Sequence, residues 1–265
     1  MSGDDGARGC GRTGGRRIAV RLEYDGSAYR GSQFQENGPS IQAELESAIA
    51  KLTGETVRAA FAGRTDSGVH ALGQVAAFDT GCRLSAGELV RGLDHFLPED
   101  IAVLVAAEVP GVFDPRRDAT GRTYRYRIHT APVRSPMRRS RVWHVGQPLD
   151  VAAMSRAAQA LVGAHDFAAF APPFEGSTSR TLRRCDVSED GDEVAVEMEA
   201  QAFLPHQVRR TVGALVEIGL GRQPEDWLRE LLQAAKPSSA GPAAPPCGLY
   251  LVRVAYDGLV FGPGE

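Results

Sequence analysis

Two stretches far apart in this chain alternate apolar and polar residues with a period of two. Ile18, Val20, Leu22 and Tyr24 interleave with Arg17, Arg21 and Glu23, while Tyr124, Tyr126 and Ile128 interleave with Arg125 and Arg127. That period puts one set on each face of an extended backbone, so both read as half-buried strands. A helix follows each. Ser40 caps the first, with Ile41, Leu45, Ala48, Ile49 and Leu52 on one face and Gly54 at its end; Asp150 caps the second, with Met154, Ala157, Ala158 and Leu161 inward and closure near Gly163. Further strands are expected over Val57–Phe61, Gln74–Phe78, Ile101–Val109, Thr181–Val187, Val194–Ala200 and Leu249–Tyr256. Ser85 and Glu88 form a capping box ahead of Leu89, Val90, Leu93 and Phe96. Helices are also expected from Pro205 to Ile218 and from Trp227 to Ala234, and Lys236–Pro246 reads as a Pro/Ala/Ser linker. This order argues an α+β fold of two similar halves, each a mostly antiparallel sheet with helices on one face. The halves are expected at 16–110 and 111–265, with the boundary near Pro110–Phe113, after a disordered Gly- and Arg-rich tail at 1–15.

A length of 265 residues is ample for a hydrophobic core. No segment reaches the roughly 20 apolar residues of a membrane span, and the N-terminus has no apolar signal core. Cys10, Cys82, Cys185 and Cys247 are scattered and never paired as C-x-x-C, which fits reduced thiols in a cytoplasmic protein. Charge is informative locally. Between Pro115 and Arg141 nine arginines face one acid, Asp118; that local +8 leaves −11 for the rest of a chain whose total is −3. Such polarity is a plausible footprint for a phosphate backbone, though arginine runs are more often solvated surface.

No Walker loop, H-E-x-x-H or G-x-S-x-G motif occurs, and the six histidines are dispersed. An enzyme with this inventory is expected to work without metal or nucleotide cofactor. The sharpest feature is Gly63-Arg64-Thr65-Asp66-Ser67-Gly68-Val69-His70-Ala71, between two expected strands. Asp and Gly are ordinary turn residues, yet a strand-mounted Asp66 with an arginine two positions earlier could meet a substrate. In Arg122-Thr123-Tyr124-Arg125-Tyr126, the tyrosines either pack in the core or stack a nucleobase beside phosphate-binding arginines; spacing leaves the two readings level. At Phe203-Leu204-Pro205-His206-Gln207-Val208-Arg209-Arg210, Arg209 adjoins inward-facing Val208 and could orient Asp66 across a cleft.

Taken in order, Tyr24-Asp25-Gly26, Gly31-x-Gln33-x-Gln35, the segment Gly63–Ala71, Leu97-Pro98, Arg122–Tyr126, Gly163-x-His165-Asp166-Phe167, Val208-Arg209 and Gly248–Leu251 resemble the tRNA pseudouridine synthase A family over residues 18–256. The resemblance implies cofactor-free isomerisation of uridine to pseudouridine at positions 38–40 of the tRNA anticodon stem-loop, in a cleft between the halves of a homodimer that grips tRNA. It implies catalytic roles for Asp66, Tyr124 and Arg209. Arg64 corresponds to an arginine of nucleotide flipping, and Leu249 to an apolar residue under the base. The chain departs from the family pattern at Ser32, Asp94, Asp114 and Gln207. A non-catalytic RNA-binding protein, or a diverged synthase acting on another RNA or a uridine nucleotide, are the competing readings.

Overall fold

The computed structural model describes residues 15–173 and 175–258. The expected tail therefore lies, Gly15 apart, outside the described residues. Ten strands and five α-helices follow one another as β1 (Arg16–Tyr24), α1 (Ile41–Thr53), β2 (Ala60–Phe61), β3 (His70–Thr80), α2 (Ala86–Phe96), β4 (Ile101–Val109), β5 (Ala119–His129), β6 (Trp143–His144), α3 (Val151–Gln159), β7 (Gly163–Asp166), β8 (Ser179–Asp190), β9 (Glu193–Ala200), α4 (Gln207–Gly219), α5 (Trp227–Ala234) and β10 (Leu249–Tyr256). Among the described residues, no helix is long and apolar enough to cross a membrane.

The strands form one mixed sheet in the order β4-β1-β3-β10-β5-β9-β8-β7, with β2 on β3 and β6 on β5. Every pairing is antiparallel except β3–β10 and β5–β6. The β3–β10 pair, with Tyr250 opposite His70 and Leu251 opposite Ala71, splices the sheets of the two halves into a continuous surface. The α+β reading thus holds, with a mostly antiparallel sheet that runs through strands from both sides of the expected boundary.

Alternation is realised as expected. Along β5, Tyr124, Tyr126 and Ile128 are buried, Arg125 is exposed and Arg127 is half-buried. Ser40 and Asp150 accept from the third residue ahead of them, Gly54 ends α1 in the left-handed region (φ 74°), and the Ser85–Glu88 box is complete.

Four local expectations are corrected. The strand expected from Val57 pairs only at Ala60–Phe61, because α1 takes the backbone of Ala59: its N–H donates to Glu46 (3.0 Å) and its carbonyl accepts from Gln42 (3.2 Å). The third strand starts at His70 instead of Gln74, because β10 pairs with the end of the Gly63–Ala71 segment, at His70 and Ala71. Helix α3 stops at Gln159, and Gly163, at φ 113°, opens β7 instead of closing the helix. Residues 236–246 are a packed strap and not a free linker. Ala240 and Ala244 are buried, and their N–H groups donate to Ala169 O (3.1 Å) and Arg209 O (3.0 Å).

Tyr126 holds the end of that strap. Its ring is fully buried against Gly248, where a Cβ would come within 2.6 Å of it, and its hydroxyl donates to Pro245 O at 2.7 Å. Tyr126→Phe strands that carbonyl and should cost about 1–3 kcal/mol, measured as a fall in Tm of several degrees by calorimetry with the fold retained.

Candidate active site

The segment between β2 and β3 is tied down at nearly every residue. Arg122 donates to Ala62 O (2.8 Å) and Gln74 to Gly63 O (2.9 Å). Thr65 exchanges two bonds with Ser32: its N–H donates to Ser32 Oγ (2.9 Å), and its carbonyl accepts from Ser32 N–H (3.1 Å). The Tyr24 hydroxyl meets Thr65 Oγ1 at 2.9 Å, and burial pushes that phenol up to about 12, so it stays protonated at neutral pH. Two glycines let the chains approach this closely. A Cβ on Gly26 would lie 1.9 Å from Val69 O, and Gly31, at φ 99°, would put one 2.7 Å from Thr65 O. Such bracing gives Asp66 the rigid mount that a reacting side chain needs.

The Asp66 carboxylate is half-exposed, and Arg209 Nη1 donates to its Oδ2 at 2.8 Å. Arg209 is itself fixed, since its Nε donates to Ala244 O on the strap at 2.8 Å. His206 Nδ1 lies 3.0 Å from the same Asp66 oxygen. His206 immediately precedes α4 and takes a left-handed backbone (φ 59°), uncommon for a residue with a side chain and a form of strain that gathers at functional sites. Oδ2 is therefore occupied, while Oδ1 makes no hydrogen bond among the described residues.

Asp66 stands on the wall of a cavity of about 480 Å³ that Tyr124, Leu249, Phe203 and Val69 also line. That is the size range of a small-ligand pocket. Tyr124 sits edge-on to Phe203 with 5.3 Å between ring centroids. Burial, chiefly, raises its phenol well above the ordinary tyrosine value, so the ring enters the cavity as a neutral group. Leu249 is buried at the start of β10. Arg64 is exposed, lines both this cavity and an adjoining depression of about 620 Å³, and has no carboxylate partner among the described residues. All five residues singled out from the sequence, Arg64, Asp66, Tyr124, Arg209 and Leu249, thus line one cavity.

The arginine strip is less bare than its sequence count. Arg122 is buried and donates to the carbonyls of Gln201, Ala62 and Arg116, so it braces the site instead of meeting solvent. Arg125 pairs with Glu197 (2.8 Å), Arg127 with Glu193 (2.6 Å), Arg138 with Asp192 (3.0 Å) and Arg141 with Asp25 (3.2 Å). The tyrosine-with-free-arginines reading of residues 122–126 therefore survives for Tyr124 alone. His206, Phe203, Arg116 and Arg180 also line the cavity without having been assigned a role from the sequence. A lone histidine and an arginine at a strand end carry no sequence signal; only the segment 203–210 hinted at the first two.

A family model described as tRNA pseudouridine synthase matches residues 21–116 and 157–257. The chain belongs to the tRNA pseudouridine synthase family. It is 48% identical over 243 residues to tRNA pseudouridine synthase A of Myxococcus xanthus, covering 91% of this chain and 92% of the relative. With the protein of the same name from Acidiphilium cryptum it shares 48% over 247 residues (91% and 97%), and with that from Rhodospirillum rubrum 45% over 252 residues (94% and 91%). The matched spans of the family model contain Arg64, Asp66, Arg209 and Leu249, while Tyr124 falls between them. Of the departures from the family pattern, Ser32 is wholly buried and clamps Thr65, and Asp114 accepts from the N–H groups of Arg116 (2.8 Å) and Arg117 (3.0 Å). Gln207 is buried with its Oε1 accepting from Leu204 N–H at 2.8 Å, and Asp94 is exposed on α2.

His70, at the end of the motif, joins three segments to the site. Its Nδ1 accepts from Gly26 N–H (3.1 Å), its Nε2 faces the carbonyls of Ser140 (2.9 Å) and Cys247 (3.2 Å), and its ring stacks on Tyr250 at 4.7 Å. Burial, opposed by Asp25, holds its pKa below the ordinary 6.5, so the folded chain keeps it neutral while the unfolded chain protonates first. Stability from this group is complete above about pH 6.5 and lost as pH falls toward the lower folded value. The carboxylates with depressed pKa values, Asp25, Asp114, Asp192, Glu193, Glu197 and Glu225, lose their contribution only below about pH 4.5. Between pH 7.5 and 5.5, Tm should therefore fall in the wild type and fall less in His70→Gln, as read by calorimetry.

Proposed function

We propose that this chain isomerises uridine to pseudouridine in tRNA, with Asp66 as the reacting carboxylate. The observation that carries this reading is the Asp66–Arg209 pair at 2.8 Å on the wall of a cavity shared with a buried tyrosine. Arg209 and the neighbouring His206 take Oδ2, which leaves Oδ1 for the nucleotide, either to attack C1′ or to remove the 2′ proton. The base, once detached, must be retained and turned instead of hydrolysed. Tyr124 supplies a stacking face and Leu249 an apolar floor, and together with Phe203 they limit the water that could intercept it. We assign to the neutral Tyr124 hydroxyl the relay of the proton leaving C5. Arg64, without an ionic partner at the rim, is suited to occupy the gap left when the nucleotide turns out of its stack.

The substrate positions we assign are uridines 38–40 of the anticodon stem-loop, on the family likeness. We further read the working form as a cytoplasmic homodimer. That reading, too, rests on the family likeness.

Incubation of unmodified tRNA transcripts with the purified chain, followed by mass-spectrometric mapping, tests the reading. Wild type should place pseudouridine at positions 38–40, and Asp66→Asn should yield none while binding the transcript about as well. Turnover by Asp66→Asn, or no product from wild type on any transcript, would sink it. Tyr124→Phe keeps the ring and should retain transcript affinity within about twofold, but slow product formation by about 10²-fold or more, the usual weight of a positioned acid–base group.

A further inference from the structure

Arg180 occupies the second position of β8 and lines the cavity that holds Asp66. Its protein contacts are two main-chain carbonyls, both taken by Nη1: Ser177 O at 2.9 Å and Ser179 O at 2.6 Å. Its Nε is buried with no acceptor, and no carboxylate approaches it among the described residues. Burial alone pulls this guanidinium below its ordinary pKa, without the compensating acid that raises Arg127 and Arg184 elsewhere. A cation drawn partly out of water without a counter-ion is costly, and the cost is removed when an anionic ligand completes it. Arg116 shares the cavity lining. Its side chain is exposed and also lacks a carboxylate partner, while its carbonyl is anchored by buried Arg122 at 2.8 Å.

These two differ from the other arginines of the cavity. Arg209 is committed to Asp66 and Ala244, and Arg122 to three carbonyls. We propose that Arg180, together with Arg116, receives a phosphodiester of the RNA strand beside the nucleotide turned into the cavity. A guanidinium presents donors in the plane a phosphate needs, and with Nη1 held by the two carbonyls, Nη2 is a donor left without a partner among the described residues. The inference rests on the isomerase reading of the cavity. Its consequence is selectivity: the site recognises uridine within a strand, through a charge that a free nucleoside lacks.

The test measures binding of the full chain to an unmodified tRNA transcript across a salt series, with KM and kcat for pseudouridine formation from the same preparations. Arg180→Gln should weaken binding about tenfold and flatten the slope of log K against log salt by about 0.7–1. KM should rise about tenfold, while kcat falls less than threefold. Arg180→Lys should recover the slope, since the charge remains, without the full affinity, since the fork is lost. Arg116→Gln, at an exposed position, should flatten the slope by a similar amount and decides the matter if Arg180→Gln does not fold. An unchanged salt slope and KM in a variant with wild-type Tm overturns the proposal. So does saturation of the wild type by free uridine monophosphate at transcript-like concentrations, which would assign the phosphate to a free nucleotide. Whether the wild type converts the transcript is read separately, so failure of the isomerase reading leaves the salt slopes to judge Arg180.

Discussion

The site depends on one guanidinium. Arg209 reaches from the first turn of α4 to Asp66, 143 residues earlier in the chain, and is held from behind by the carbonyl of Ala244. Three segments with no sequence proximity are thereby locked together: the motif loop, the helix start and the strap that leads into β10. The arrangement requires the two halves to be fixed relative to each other. The parallel β3–β10 pairing does this by running one sheet through both. Parallel strands cannot be joined by a tight turn, and here the two partners of the seam lie about 180 residues apart in the chain, Tyr250 opposite His70.

A carboxylate that must react needs to be both held and accessible. Rigidity comes from the buried side of the loop, where Tyr24, Ser32, Gln74 and Arg122 bind its backbone or its threonine. Accessibility comes from its other side, where Asp66 remains half-exposed at the cavity. The close approach of Gly26 and Gly31 makes the division possible, because any side chain there would collide with Val69 O or Thr65 O. Ser32, wholly buried, contributes as a small clamp on the Thr65 backbone.

Net charge along a sequence proved a poor guide to free charge on the surface. The segment 115–141 carries nine arginines and one acid, yet β9 and the turn before it bring Glu193, Glu197 and Asp192 across from Arg127, Arg125 and Arg138. Arg141 is met by Asp25 of the other half. What remains for an external anion is a smaller set, in which Arg64, Arg116 and Arg180 stand at the cavity itself. Arg134 and Arg139 of the strip also lack a carboxylate partner among the described residues, and line a separate depression beside Trp143.

Much of the architecture was legible because it is written in short-range physics. Alternation in β1 and β5, the caps at Ser40, Ser85 and Asp150, and the left-handed Gly54 each depend on residues within a few positions of one another. The motif around Asp66 was visible for the same reason, as was the pairing of an aromatic with a strand at Tyr124. The brevity of β2, the packed strap at 236–246, the neutralised arginines, the nearness of His206 to Asp66 and the place of Arg180 on the cavity wall were not. Each is set by partners far along the chain: Glu46 for Ala59, Ala169 for Ala240, Glu197 for Arg125. The sequence by itself determined the elements and their chemistry-bearing residues. The tertiary structure decided which charges cancel and which face the cavity, because a Coulomb or hydrogen-bond partner is chosen by distance in space.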